Sequence, residues 1–206
     1  MVRGALGGWE LGLITTEAMG NSITVWQNSL SENGDLVNGS TYLGGLNSLF
    51  QTGNVHSERP LVVPGQDCSV RNGNVLLNQS AFTLVGYQIG TIPSNVEPLG
   101  YCHASSLLNT DLSIDKNFKL TERFRLQFRI DLFDMFNHAN FRNDNIATQA
   151  FNKVNCGPAD TNGQYAPCSP TNNVISAQTT TNNFGQSTGQ VGNAGRQIQY
   201  GLHLTF

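Results

Sequence analysis

The sequence predicts an all-β fold: an antiparallel transmembrane β-barrel segment of about four long strands, near 8–19, 108–118, 122–137 and 195–206, that forms an incomplete barrel. Three observations predict it. Apolar and polar residues alternate with period two in those segments. Only 12% of the 206 residues are charged, about half the share of an ordinary soluble domain, while Gly, Asn, Ser, Thr and Gln abound. Finally, the connections between the segments are either very short or very long.

The first segment, "WELGLITTEAM", carries Trp9, Leu11 and Leu13 on one face and Glu10 and Gly12 on the other. In "NTDLSIDKNF", Leu112, Ile114 and Phe118 oppose Asp111, Ser113, Asp115 and Asn117. The linker "KLTE", residues 119–122, is short enough for a hairpin turn. In "RFRLQFRIDLFDMFN", residues 123–137, Phe124, Leu126, Phe128, Ile130 and Leu132 fall on one face, and Arg123, Arg125, Gln127, Arg129 and Asp131 on the other. After Leu132 the phase blurs, as at a bulge or an aromatic cluster where a strand reaches an interface. The segment "RQIQYGLHLTF" places Ile198, Tyr200, Leu202, Leu204 and Phe206 on one side.

The stretches 20–107 and 138–194 read as long external loops, of a length uncommon inside compact soluble domains. Outer-membrane barrels have this asymmetry, with short periplasmic turns and long outer loops. If Phe206 is periplasmic and each strand crosses once, "KLTE" is periplasmic too and both long loops are outside. The apolar set Phe124, Leu126, Phe128, Ile130 and Leu132 then faces lipid, while Arg123, Arg125, Gln127, Arg129 and Asp131 face the lumen, with Asp115 nearby completing a mixed-charge ladder. The competing reading is the solvated face of a soluble sheet, although a strand of about fifteen residues is long for one.

A net charge of −3 and a pI of about 5.7 argue against nucleic-acid binding. No run approaches the roughly 18 apolar residues of a membrane helix. The beginning of the sequence has no apolar core of a secretion signal, so either the chain is not exported or its true beginning is missing. Cys156 and Cys168 bracket "GPADTNGQYAP", which reads as a disulfide-closed loop in an oxidising compartment, and Cys68 with Cys102 is a second candidate pair. No CxxC pair marks a zinc site. His56, His103, His138 and His203 are scattered, "GQSTGQVGNAG" lacks the strand-then-helix flanks of a nucleotide loop, and no serine sits in a nucleophile elbow. The sequence reads as a non-enzyme with no cofactor.

Taken in order, "LGGWELGLITT", "LLNTDLSIDKNFKLTERFRLQFRIDLFDMFNHANF" and "FGQSTGQVGNAGRQIQYGLHLTF" resemble the C-terminal end of TonB-dependent outer-membrane receptors, closest to those with an N-terminal carboxypeptidase-regulatory-like domain. The resemblance implies a barrel of about 22 strands, a plug, an energy-coupling TonB complex reached through other parts of the receptor, and uptake of a nutrient such as an iron chelate, glycan or peptide. It also implies that Ile198, Tyr200, Leu202, Leu204 and Phe206 form a signal for the outer-membrane assembly machinery, which reads a strand edge by pairing. Four strands cannot close a barrel, so the chain is expected to be a C-terminal segment that begins near a periplasmic turn at "VRGALGG" and has no activity alone.

The alternative is a soluble or surface-exposed, lectin-like β-sandwich that adds strands from "SITVWQ", "TYLGGL" and "NVLLNQSAFTLVGY". A variant is a small eight-stranded barrel using the same segments. Phe124, Phe128, Tyr200 and Leu204 discriminate, facing lipid in one case and a second sheet in the other.

Overall fold

The computed structural model describes residues 7–27, 59–91, 93–163, 165–166, 168–169, 171–191 and 195–206. Its strands are β1 (Trp9–Ala18), β2 (Ser22–Ile23), β3 (Leu61–Val62), β4 (Ser69–Asn72), β5 (Val75–Leu77), β6 (Phe82–Thr83), β7 (Cys102–His103), β8 (Leu107–Lys119), β9 (Arg125–Phe133), β10 (Phe151–Ala159), β11 (Tyr165–Ala166), β12 (Ile175–Thr180) and β13 (Gln197–Thr205). The chain divides into two units, one of residues 1–19, 106–141 and 190–206, the other of residues 20–105 and 142–189.

The first unit is a four-stranded antiparallel sheet in the order β1-β8-β9-β13. Each of the four segments with period-two alternation supplies one strand. Alternation fixes the register, because a slip of one residue would move every apolar side chain to the polar face. The strands at the two sheet edges, β1 and β13, are exposed along their whole length, and the described residues of this unit form neither a closed barrel nor a second sheet.

Two boundaries differ from the sequence reading. The hairpin turn is not residues 119–122: β8 continues to Lys119 and the turn occupies residues 120–124. The Thr121 hydroxyl accepts the main-chain N–H groups of Arg123 and Phe124, and the N–H groups of Leu120 and Thr121 donate to the Phe124 carbonyl. Arg123 and Phe124 therefore belong to the turn, not to the lumen-facing and lipid-facing rows. At its other end β9 stops at Phe133 rather than running to residue 137. Asp134 and Asn137 adopt positive φ, 49° and 54°, a conformation short polar side chains tolerate and a strand cannot contain. The blurred phase after Leu132 is this turn, and not a bulge.

The second unit is built from the stretches 20–107 and 138–194, which the sequence reads as long external loops. Most of both stretches folds together around one hydrophobic core. Tyr87, Leu84 and Ile89 from the first stretch and Phe151, Val154 and Ile175 from the second are buried in it. The sheets are small: β10 pairs with β11 and β12, β2 with β7, β3 with β6 and β4 with β5. "SITVWQ" supplies β2, and "NVLLNQSAFTLVGY" supplies β5 and β6 with a 3₁₀ turn between them; "TYLGGL" lies outside the described residues.

Both cysteine pairs are joined in the structure, Cys156 with Cys168 and Cys68 with Cys102. Cα separations of 4.8 and 5.5 Å fall in the normal range for disulfides. All four cysteines are buried, so the bridges staple the core as well as close loops. Gly185 shows how tightly the two stretches meet. It has φ +72°, its N–H donates to Ala147, its carbonyl accepts from Leu76, and a Cβ there would sit 2.6 Å from the Leu77 carbonyl oxygen.

Glu97 is fully buried in this unit. Both its oxygens accept from the Val25 N–H at 3.0 Å, and Arg59 donates to its main-chain carbonyl. Burial pushes its carboxyl up to about 7 from 4.5, against the opposing pull of the Val25 N–H and of Arg59. The folded unit thus holds a proton that the unfolded chain releases at lower pH. Its contribution to stability is full below about 4.5 and is lost as pH rises towards about 7. Denaturation of this unit, followed by Trp26 fluorescence, is expected at higher denaturant near about pH 5 than near about pH 8, and Glu97→Gln should flatten that slope.

Candidate functional site

Paired residues of neighbouring strands put their side chains on the same face, so the register defines two faces. On one, Trp9, Lys116, Phe128 and Leu202 form a row, followed by Leu11, Ile114, Ile130 and Tyr200, then by Leu13, Leu112, Leu132 and Ile198. Phe118, Leu126 and Leu204 extend it towards the turn. Leu11, Tyr200 and Leu202 are exposed at 74%, 67% and 71%. A soluble protein rarely presents so continuous an apolar surface.

Lys116 is the one charge in those rows, and sequence reasoning missed it because residues on either side of it keep the alternation. It is 3% exposed. Its ammonium lies 4.6 Å from the Trp9 ring centre and 5.5 Å from that of Phe118, and donates to the Gly7 carbonyl at 2.5 Å. Two ring faces and a carbonyl replace the water the cation loses.

The opposite face is polar. Glu10, Asp115, Arg129 and Gly201 form one row and Gly12, Ser113, Asp131 and Gln199 the next. Arg129 and Asp131 are joined at 2.8 Å, and Gln127 donates to Asp115 at 3.4 Å. Gly201 leaves space beside Arg129, whose Cβ would lie 3.7 Å from a Cβ at that position. Of the residues assigned to a lumen row, Arg125, Gln127, Arg129 and Asp131 share this face; Arg123 does not, because it sits in the turn.

At the end of the sheet away from that turn, the polar face holds a cavity of about 440 Å³ lined within the first unit alone. The "FNHANF" motif builds its wall. The Asn140 side-chain amide donates to the Leu108 carbonyl and accepts its N–H, both at 2.9 Å, extending the edge of β8 as a strand would. Asn137 accepts the Arg196 N–H, and the Met135 N–H donates to Thr110. His138 contacts Asn140 through Nδ1 at 3.2 Å, which makes it part of this wall. Among the described residues, no group of three or more metal-ligating side chains converges.

A sheet that is polar on one face and apolar on the other, with no second sheet among the described residues of its own unit, has the chemistry of the wall of a membrane β-barrel, in which strands meet lipid outside and water inside. A protein-family model described as an outer membrane beta barrel domain matches residues 1–199, and the chain belongs to that family. It is an outer-membrane β-barrel protein. No curated protein and no solved structure matches it.

Proposed function

We propose that the chain supplies part of the barrel wall and the ligand-facing outer portion of a TonB-dependent receptor that takes up a nutrient. The continuous apolar face carries the reading: Leu126, Phe128, Ile130 and Leu132, together with their partners on β13, meet lipid, and Arg125, Gln127, Arg129 and Asp131 meet the lumen. Unpaired edges are too costly in hydrocarbon to persist, so β1 and β13 pair with further barrel strands. The disulfide-stapled second unit is external, where bridges form and persist. The resemblance of "KNFKLTERFRLQFR", "FNHANF" and "RQIQYGLHLTF" to such receptors supports the finer assignment.

The partners of this reading are the remaining strands and plug, the assembly machinery, which pairs with the edge carrying Ile198, Tyr200, Leu202, Leu204 and Phe206, outer-membrane lipid, and the TonB complex. No catalytic role and no nucleic acid enter it. The test is photo-crosslinking of the full-length protein in cells. A crosslink to the energy-coupling protein is expected, strengthened when the nutrient is present; a protein that never crosslinks is a passive channel or an adhesin, and the receptor reading falls.

A further inference from the structure

We infer that the cavity at the outer end of the polar face is a subsite for a neutral oligosaccharide; the inference rests on the receptor reading above. Its volume, about 440 Å³, is that of a small-molecule site, which usually lies between about 300 and 1,000 Å³. The polar groups that line it include Thr16, Asn109, Asp111, Asp134, Gln190 and Gln197. Among the described residues, neither lysine nor arginine lines it. An anion such as a ferric carboxylate chelate would find neither lysine nor arginine there, only His138, and would face two carboxylates, which repel it.

The two carboxylates are held in place from behind. One oxygen of Asp111 accepts the Asp134 N–H at 2.9 Å and the Asn109 amide at 3.0 Å; one oxygen of Asp134 accepts the His138 N–H at 3.0 Å. Their second oxygens, and the side-chain amides of Gln190 and Gln197, bond no described residue. Fixed acceptors beside free amides suit a ligand whose groups each donate and accept, which is the property of a hydroxyl. Phe133 stands at the edge of the cavity, 42% exposed, and offers a flat apolar wall to the C–H face of a pyranose while the polar groups take its hydroxyl edge.

The test uses the full-length protein purified from the outer membrane in detergent. Calorimetric titration with α-glucan, β-glucan, mannan and xylan oligosaccharides, with ferric citrate and with oligolysine should show one neutral sugar binding with Kd below about 1 mM. Gln190→Ala with Gln197→Ala, and separately Phe133→Ala, should each weaken it by about tenfold or more. Neither glutamine side chain bonds a described residue, so the double variant leaves the fold intact. Absence of binding by every neutral sugar, binding of oligolysine or ferric citrate alone, or sugar affinity unchanged in both variants overturns the subsite. A protein that binds sugar but never crosslinks to the energy-coupling protein keeps the subsite and loses the receptor reading; the reverse pattern does the opposite.

Discussion

Tyr200→Arg is expected to remove most of the assembled protein from the outer membrane, whereas Gln199→Arg, one residue away, leaves its level unchanged. Tyr200 sits in the row Leu11, Ile114, Ile130 and Tyr200, stacks with Phe128 at 6.4 Å between ring centres, and is 67% exposed on the apolar face. An arginine on the lipid face near the bilayer midplane costs about 2–4 kcal/mol. No arrangement like that of Lys116 is available at this position, because Lys116 depends on two aromatic rings and a carbonyl at the turn end of the sheet. Gln199 lies beside Asp131 on the polar face, where an arginine gains a carboxylate neighbour. The comparison is read from the heat-modifiable, folded band of outer-membrane fractions on gels.

Phe151→Ala is expected to open the second unit to protease while leaving the barrel wall in the membrane. Phe151 is 1% exposed at the start of β10, inside the core that both long stretches share. Truncating a buried phenylalanine costs about 3–5 kcal/mol through lost burial and the cavity left behind, a large part of the stability of a unit this size. Trypsin added to intact cells should then cut at exposed bonds such as that after Arg71, with the folded band of the wall retained. Loss of both units together would show that they fold as one.

The long sheet was legible because its environment is written residue by residue. When one face is apolar and the other polar, every second position carries the signal, and β1, β8, β9 and β13 all lie within or close to the segments where it was read. Its ends were not legible. Whether Arg123 continues the strand depends on a hydroxyl of Thr121, and the stop at Phe133 depends on the φ angles of Asp134 and Asn137, neither of which alters the apolar pattern. Alternation with Ile114 and Phe118 already puts Lys116 on the apolar face; what the sequence hid was its cross-strand neighbour Trp9, whose ring receives the charge there.

The second unit was read as loops because most of its strands are two to four residues long, too short to display a period. Its core joins residues distant in sequence, as when Gln178 accepts the Leu84 N–H at 2.6 Å. Cysteine spacing was one local sign of that core, beside the short apolar runs of "SITVWQ" and "NVLLNQSAFTLVGY", and Cys68 with Cys102, 34 positions apart, carried it more weakly than the pair that encloses a single short loop. The cavity was invisible because its wall depends on Asn140 reaching back to Leu108, 32 positions away.

In a barrel wall one face of the sheet meets lipid and the other meets water. The direct measurement is a nitroxide scan of β13 in the full-length protein in membranes, with single cysteines from Gln197 to Thr205 on the oxidised background, comparing collision with oxygen, which concentrates in lipid, against a water-soluble nickel chelate. Oxygen accessibility is expected at Ile198, Tyr200, Leu202 and Leu204 and nickel accessibility at Gln197, Gln199, Gly201 and His203, with period two. Equal nickel accessibility along the whole strand, or the opposite phase, would contradict that assignment of the faces.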